Sequence, residues 1–152
     1  MESEPFIEVT GYRLPAGRYY DATTHLWAQR LGYRHVRLGF DPLGREASGD
    51  IVQLSFAPVG TRLKRGEAFG NVEAAKLVGP LTSPLSGTVV AHNESLATDP
   101  AAVNEDPNAH WLLELELENL EELSLLVFGE ERLRAWFADE VDRFRRQGVI
   151  AE

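Results

Sequence analysis

Phe69-Gly70-Asn71-Val72-Glu73-Ala74-Ala75-Lys76-Leu77-Val78-Gly79-Pro80-Leu81-Thr82-Ser83-Pro84-Leu85-Ser86-Gly87-Thr88-Val89-Val90 is the stretch that decides how this chain is read. The approach at 69–72 and the exit at 88–90 are β-prone, and Gly79, Pro80 and Pro84 between them break any helix. The spacing predicts strand, tight turn, strand, with Lys76 at or near the turn and Gly87 eleven residues beyond it. A lysine on a rigid hairpin tip holds its ammonium away from the body, open to an enzyme that acylates it. Swinging-arm carriers have that arrangement: a tethered cofactor does the chemistry and the protein positions it. The plainer reading of Lys76 is an ordinary solvated surface lysine.

Upstream, Asp41-Pro42-Leu43-Gly44-Arg45-Glu46-Ala47-Ser48-Gly49 predicts a short helix. Asp41 caps its free amides, Pro42 fits the first position and Gly49 closes the end. Asp50-Ile51-Val52-Gln53-Leu54-Ser55-Phe56 alternates as a strand, turned at Ala57-Pro58-Val59-Gly60. Residues 6–10 read as a short strand leading into an irregular segment with Gly11, Pro15 and Gly17, and 36–40 as another strand. Trp27 is expected in the core. His25 is expected to be a structural, hydrogen-bonded histidine, because no second metal-type ligand stands at useful spacing.

Downstream, Asn104-Glu105-Asp106-Pro107 carries turn residues, and His110 is expected in solvent. Trp111, Leu113, Leu115 and Leu117 alternate with glutamates, which predicts a strand with one apolar face. A leucine-rich turn over 119–128 precedes the longest helix, from Gly129-Glu130-Glu131 to about Arg146. Its stripe is Leu133, Trp136, Phe137, Val141 and Phe144, and Gly148 stops it. Glu130 and Glu131 at its start and Arg143, Arg145 and Arg146 at its end favour it through the helix dipole.

At 152 residues with 43% apolar content, the chain suits one soluble domain. It divides into a lead-in (1–18), a main body (19–128) and a C-terminal helix packed on that body (129–152). No apolar run approaches the roughly 20 residues that span a bilayer, and the acidic start lacks a secretory signal, so a cytoplasmic protein is expected. A net charge of −9 without any basic block argues against nucleic acid or anionic membrane as partners. There is no cysteine, so any thiol chemistry belongs to a cofactor. Four scattered histidines and no nucleophile–base motif argue against catalysis by the protein itself.

Val72-Glu73-Ala74-Ala75-Lys76 and Ser83-Pro84-Leu85-Ser86-Gly87-Thr88-Val89 resemble the glycine cleavage H-protein family, whose members read Val-Glu-Ser-Val-Lys and Ala-Pro-Val-Ser-Gly-Glu-Val. Gly49-Asp50-Ile51-Val52, Pro58-Val59-Gly60 and Val103-Asn104-Glu105-Asp106-Pro107 with Trp111 extend the resemblance over roughly 19–137. Biotin carriers place their lysine between methionines, whereas Ala75 and Leu77 flank this one, which favours lipoate. The resemblance implies a mainly β fold with flanking helices: a lipoyl/biotinyl-type barrel-sandwich hybrid of two small antiparallel sheets, with an amphipathic C-terminal helix. It implies a monomeric, non-catalytic carrier with lipoate bound covalently to Lys76 by a lipoate ligase or lipoyl transferase that recognises Glu73. The arm would then visit successive enzymes, dihydrolipoamide dehydrogenase among them.

Two positions depart from that pattern. Family members shield an amine-bearing cargo with the glutamate of His-Glu-Trp and an aspartate four residues after the lysine; here those positions hold Leu26 and Pro80. Neither accepts a hydrogen bond from an ammonium. Asp-Pro-Leu-Gly also stands where Thr-Asp-Tyr-Ala is usual, and the C-terminal helix is longer. These departures favour the paralogous lipoate-binding protein of heterodisulfide-reductase-like sulfur oxidation, a sulfur carrier, over an H protein carrying an aminomethyl group between glycine decarboxylase, aminomethyltransferase and the dehydrogenase. An unmodified protein-binding domain is the alternative from a different class.

Overall fold

The computed structural model describes residues 4–151; the acidic start at 1–3, from which a cytoplasmic location was read, lies outside the described residues. The elements in order are β1 (Phe6–Val9), β2 (Tyr12–Pro15), β3 (Tyr19–Tyr20), β4 (Leu26–Arg30), β5 (His35–Phe40), α1 (Pro42–Ser48), β6 (Ile51–Phe56), β7 (Arg62–Leu63), β8 (Ala68–Ala74), β9 (Val78–Thr82), β10 (Gly87–His92), α2 (Ser95–Thr98), α3 (Ala102–Glu105), β11 (Leu113–Leu117), a 3₁₀ turn (Leu120–Leu125) and α4 (Glu130–Arg146). A six-stranded sheet ordered β3-β4-β5-β11-β10-β7 and a three-stranded sheet ordered β6-β8-β9 are joined by a separate ribbon, β1-β2, and every pairing is antiparallel. The fold is mainly β, as expected, with its main sheets unequal in size. No described helix is long and apolar enough to cross a membrane.

The sheets enclose one core. Leu26, Leu38 and Phe40 of the large sheet share it with Ile51, Phe69, Val72 and Leu81 of the small one. A second core lies under α4, where Leu133, Phe137 and Val141 meet Ile7, Val9 and Leu14 of the ribbon, Tyr20, and Trp27 on the outer side of β4. Trp27 is buried, with the Arg18 guanidinium 4.1 Å from its ring centroid. The alternation of β4 thus serves both cores: Leu26 and Ala28 belong to the first and Trp27 to the second.

Five expectations need correction. Residues 12–15 form the second strand of a hairpin, because Thr10 and Gly11 both take positive φ (48° and 92°) and so make the turn that a two-residue hairpin loop requires. The return strand of the lysine hairpin is β9, not the segment at 88–90, which pairs with β11 and β7 in the other sheet. Gly79 and Pro80 lie inside β9, and Pro80 is tolerated because β9 is an edge strand. Asn104 is in the short helix α3 rather than a turn, and His110 is half-buried rather than in solvent. Trp111 precedes β11 and is half-buried, with the Arg37 guanidinium 4.5 Å from its ring centroid.

Candidate functional site

The lysine hairpin is closed by Ala75, Lys76 and Leu77, after a last register pair of Glu73 with Val78. The Ala74 N–H donates to the Leu77 carbonyl at 2.8 Å, which tightens the loop. The tip is also tied to the loop behind it. The Ala75 N–H donates to the Asp50 carbonyl at 3.0 Å and the Lys76 N–H to the Ser48 carbonyl at 2.9 Å. The Lys76 side chain is exposed, and no carboxylate among the described residues pairs with it within 4.0 Å. The backbone is therefore held while the ammonium stays accessible.

Behind the tip, the chain reverses at Gly49, where φ is 74° and ψ −172°, a region essentially reserved for glycine. A Cβ there would sit 3.0 Å from the Ala75 Cβ and 3.2 Å from the Lys76 Cγ. α1 has the expected caps: the Gly44 N–H donates to Asp41 Oδ1 at 2.8 Å, and Pro42 opens the helix. Asn104 grips the start of β6 from both sides. Its Oδ1 accepts the Ile51 N–H at 2.9 Å and its amide donates to the Ile51 carbonyl at 3.0 Å, while Arg45 donates to the same Oδ1 at 3.0 Å.

Glu73 is exposed on β8, beside a shallow depression of about 240 Å³ that also touches Gln53, Asn71 and Val78. A partner that reaches Lys76 can read Glu73 on the same hairpin.

A cleft of about 230 Å³ begins at Leu77. Leu26, Pro80 and Leu81 line it, with Thr24 and Thr82 toward its far end, and its lining holds no acidic side chain. The two departures noted in the sequence therefore face one space. A smaller hollow shares Thr24 and Thr82 with the cleft and adds Asp21 and Arg65, so the two form one furrow. Asp21 is 3% exposed; its Oδ2 accepts the Thr24 N–H at 2.9 Å and the Thr24 hydroxyl at 2.7 Å. Its Oδ1 lies 3.8 Å from the Arg65 guanidinium, an ion-pair contact beyond hydrogen-bond length. Sequence reasoning missed Asp21, because Arg65 is distant in the chain and only the fold brings them together.

The furrow fits a lipoyl arm. Leu77 and Thr82 are five residues apart along β9, which at strand rise is about 16 Å. A lysine extended by lipoate reaches, over roughly twelve bonds, about 14 Å from Cα to the nearer sulfur. The apolar wall matches the arm's methylenes, and the polar end coincides with its reach.

His25 forms the back of the site. It has φ 58° and is buried. Its Nδ1 lies 2.7 Å from Asp41 Oδ2 and its Nε2 2.9 Å from Glu140 Oε1, and its ring stacks on Trp136 at 5.2 Å. Burial opposes its charge, but Asp41 and Glu140 more than offset this, so its pKa lies above the ordinary histidine value. Glu140 is held below the usual carboxylate range by Arg143, which donates to it twice, with His25 adding to the effect. The imidazolium ties α4 to the segment that carries Leu26. Among the described residues, no group of three or more His, Asp or Glu could hold a metal ion.

The family model described as "Glycine cleavage H-protein" matches residues 18–138. This chain belongs to the glycine cleavage H-protein family. The glycine cleavage system H protein of Methylococcus capsulatus is 40% identical over 117 residues, 77% of this chain and 91% of the relative. A probable glycine cleavage system H protein of Pyrococcus abyssi is 37% identical over 76% of this chain and 86% of its own length. A crystal structure of a glycine cleavage system H protein from Mycobacterium marinum superposes with a TM-score of 0.62 at 30% identity, covering 73% of this chain and 96% of that one. Membership makes the chain a non-catalytic carrier. The relatives named above carry the glycine cleavage name, which gives the sulfur-oxidation reading no support. The family match ends before Glu140 and excludes β1 and β2, so the partner that clamps His25 lies outside it.

Proposed function

We propose that this protein is a lipoyl carrier of the glycine cleavage type, loaded on Lys76 Nζ. The observation that carries this reading is an exposed lysine on a tip fixed by two backbone hydrogen bonds, at the mouth of a furrow as long as its arm. When bound, lipoate supplies the redox-active sulfur pair on which cargo travels between glycine decarboxylase, aminomethyltransferase and dihydrolipoamide dehydrogenase. The chain's own residues do the rest. Ser48 and Asp50 hold the tip, Glu73 is offered to the ligase or transferase, and Leu26, Leu77 and Pro80 give the furrow an apolar wall.

Asp21 supplies what Leu26 and Pro80 lack. It is a buried carboxylate at the furrow's end with one oxygen free of short hydrogen bonds, placed to accept from a cargo amine. A sulfur cargo is the second reading, favoured by the wholly non-acidic lining of the cleft itself.

The test is intact mass after co-expression with lipoate and a competent lipoylation system, then peptide mapping and incubation with glycine and glycine decarboxylase. A single lipoyl adduct on Lys76 that takes up glycine-derived carbon is expected. No adduct, with a control domain lipoylated in parallel, overturns the carrier reading. An adduct that ignores glycine but accepts sulfane sulfur moves the assignment to the second reading.

A further inference from the structure

An open groove of about 500 Å³ lies away from the furrow. β4 connects the two: Leu26 lines the cleft and Arg30, four residues on, lines the groove, a separation of about 13 Å along the strand. Its lining mixes Leu120, Leu123, Leu126 and Phe128 with Ser124, and Tyr19 stacks on Phe128 at 4.3 Å. Phe128 is 43% exposed and the adjacent Leu125 59%. Two exposed large apolar side chains beside a groove make it a candidate interaction site once its charge is considered with them.

The charge at its rim says what binds there. Arg30 and Arg132 both border the groove. The chain has 24 acidic residues against 15 basic ones; among the described residues eight of its thirteen arginines find a carboxylate within 4.0 Å, and Arg13, Arg30, Arg34, Arg132 and Arg145 do not. Arg30 instead donates to the Tyr33 carbonyl at 2.8 Å, and Arg132 has no hydrogen-bond or ion-pair partner among the described residues. Arg30 and Arg132 line the same groove, and its lining holds no acidic side chain, so on an acidic chain this groove favours an acidic partner locally.

We propose that this groove is the docking surface for an acidic amphipathic segment of an enzyme in the relay. Its carboxylates meet Arg30 and Arg132, and its apolar side chains enter between Leu123, Leu126 and Phe128. The inference rests on the carrier reading. It explains how a carrier is held by a partner while the arm, on the β8–β9 hairpin, stays free to reach that partner's active site.

The test uses the full-length lipoylated protein, the Arg30→Glu/Arg132→Glu double variant and Phe128→Ser, each assayed as substrate of glycine decarboxylase, aminomethyltransferase and dihydrolipoamide dehydrogenase. The exposed arginines carry no fold contact with a carboxylate, so the double variant keeps the test valid if Phe128→Ser unfolds. With at least one enzyme the double variant is expected to raise KM for the carrier about tenfold at low salt, with kcat unchanged. Wild-type KM should rise with ionic strength and the variant's should not. The rate of lipoylation on Lys76 should be unaffected. Unchanged KM with all three enzymes, on protein that carries its lipoyl group, overturns the docking proposal alone; failure to lipoylate wild-type protein overturns it together with the carrier reading. A wild-type dimer in sedimentation that the double variant dissolves assigns the groove to a second copy of this chain and also overturns the proposal.

Discussion

Replacing Gly49 by alanine tests whether the lysine tip is held from behind. Gly49 sits at φ 74° and ψ −172°, and a non-glycine residue there costs about 1–3 kcal/mol. The added Cβ would also lie 3.0 Å from the Ala75 Cβ, 3.2 Å from the Lys76 Cγ and 3.3 Å from the Lys76 nitrogen. Relief requires the tip to move away. That weakens the bonds from Ala75 to Asp50 and from Lys76 to Ser48, each contributing about 1 kcal/mol. The sum is about 3–5 kcal/mol, or about 6–20 °C in Tm for a chain of this size. Gly60→Ala is the control: it too has positive φ, 94°, but a Cβ would meet nothing within 4 Å. Thermal melts give the stability, and a time course of intact mass during lipoylation gives the loading rate. At a temperature where both variants are folded, Gly49→Ala should load about tenfold more slowly, because a tip shift of this kind misaligns the acceptor. Gly60→Ala should load normally. A Gly49→Ala variant with wild-type loading and a Tm within about 2 °C would show that the tip does not depend on this packing.

Further outcomes follow from the same geometry. Lys76→Arg should stay folded and carry no adduct, since arginine keeps the charge and cannot take the amide link; a lipoyl mass shift on that variant would place the attachment elsewhere. Glu73→Ala should slow lipoylation without changing Tm, and equal loading would remove Glu73 from recognition. Asp21→Asn retains an acceptor for Thr24 but loses the charge, about 1.5–3 kcal/mol on an amine, so glycine-derived cargo should be lost at least tenfold faster. The Thr24 amide resonance should move on loading in wild-type protein only, and the same lifetime in both proteins would exclude Asp21. Because the folded pKa of His25 is raised, its contribution is complete below the unfolded value of about 6.5 and is lost as pH rises through the folded value. Protection factors in α4, which remove the intrinsic base-catalysed rise in exchange, should therefore fall on the alkaline side, and His25→Gln, which removes a buried charge from between two carboxylates, should cost about 3–5 kcal/mol and abolish that pH dependence. Protection in wild-type α4 that stays constant or grows with pH would contradict the clamp.

Where short-range chemistry decides, the sequence was sufficient. Asp41, Pro42 and Gly49 mark the ends of α1 because capping and positive φ act within a few residues, and the stripe from Leu133 to Phe144 announces α4 because a helix repeats every 3.6 residues. Lys76 was legible for the same reason: β-prone residues on either side of a tight turn leave its side chain outside. The return strand was misplaced because Gly79 and Pro80 read as breakers until the sheet order shows that β9 is an edge.

The loss of both family carboxylates was also plain from Leu26 and Pro80, but whether the site is left without one was not. The fold alone brings Asp21 to the end of the furrow beside Arg65, sets Glu140 against His25 across 115 positions, lets Asn104 grip Ile51 from 53 positions away, and aligns Arg30 and Arg132 over one groove. Each depends on how two sheets and a helix pack together. Local propensity and side-chain period carry no information about which distant segments meet, so the order of residues places an exposed lysine on a hairpin tip, and only the packing of distant segments sets what surrounds it.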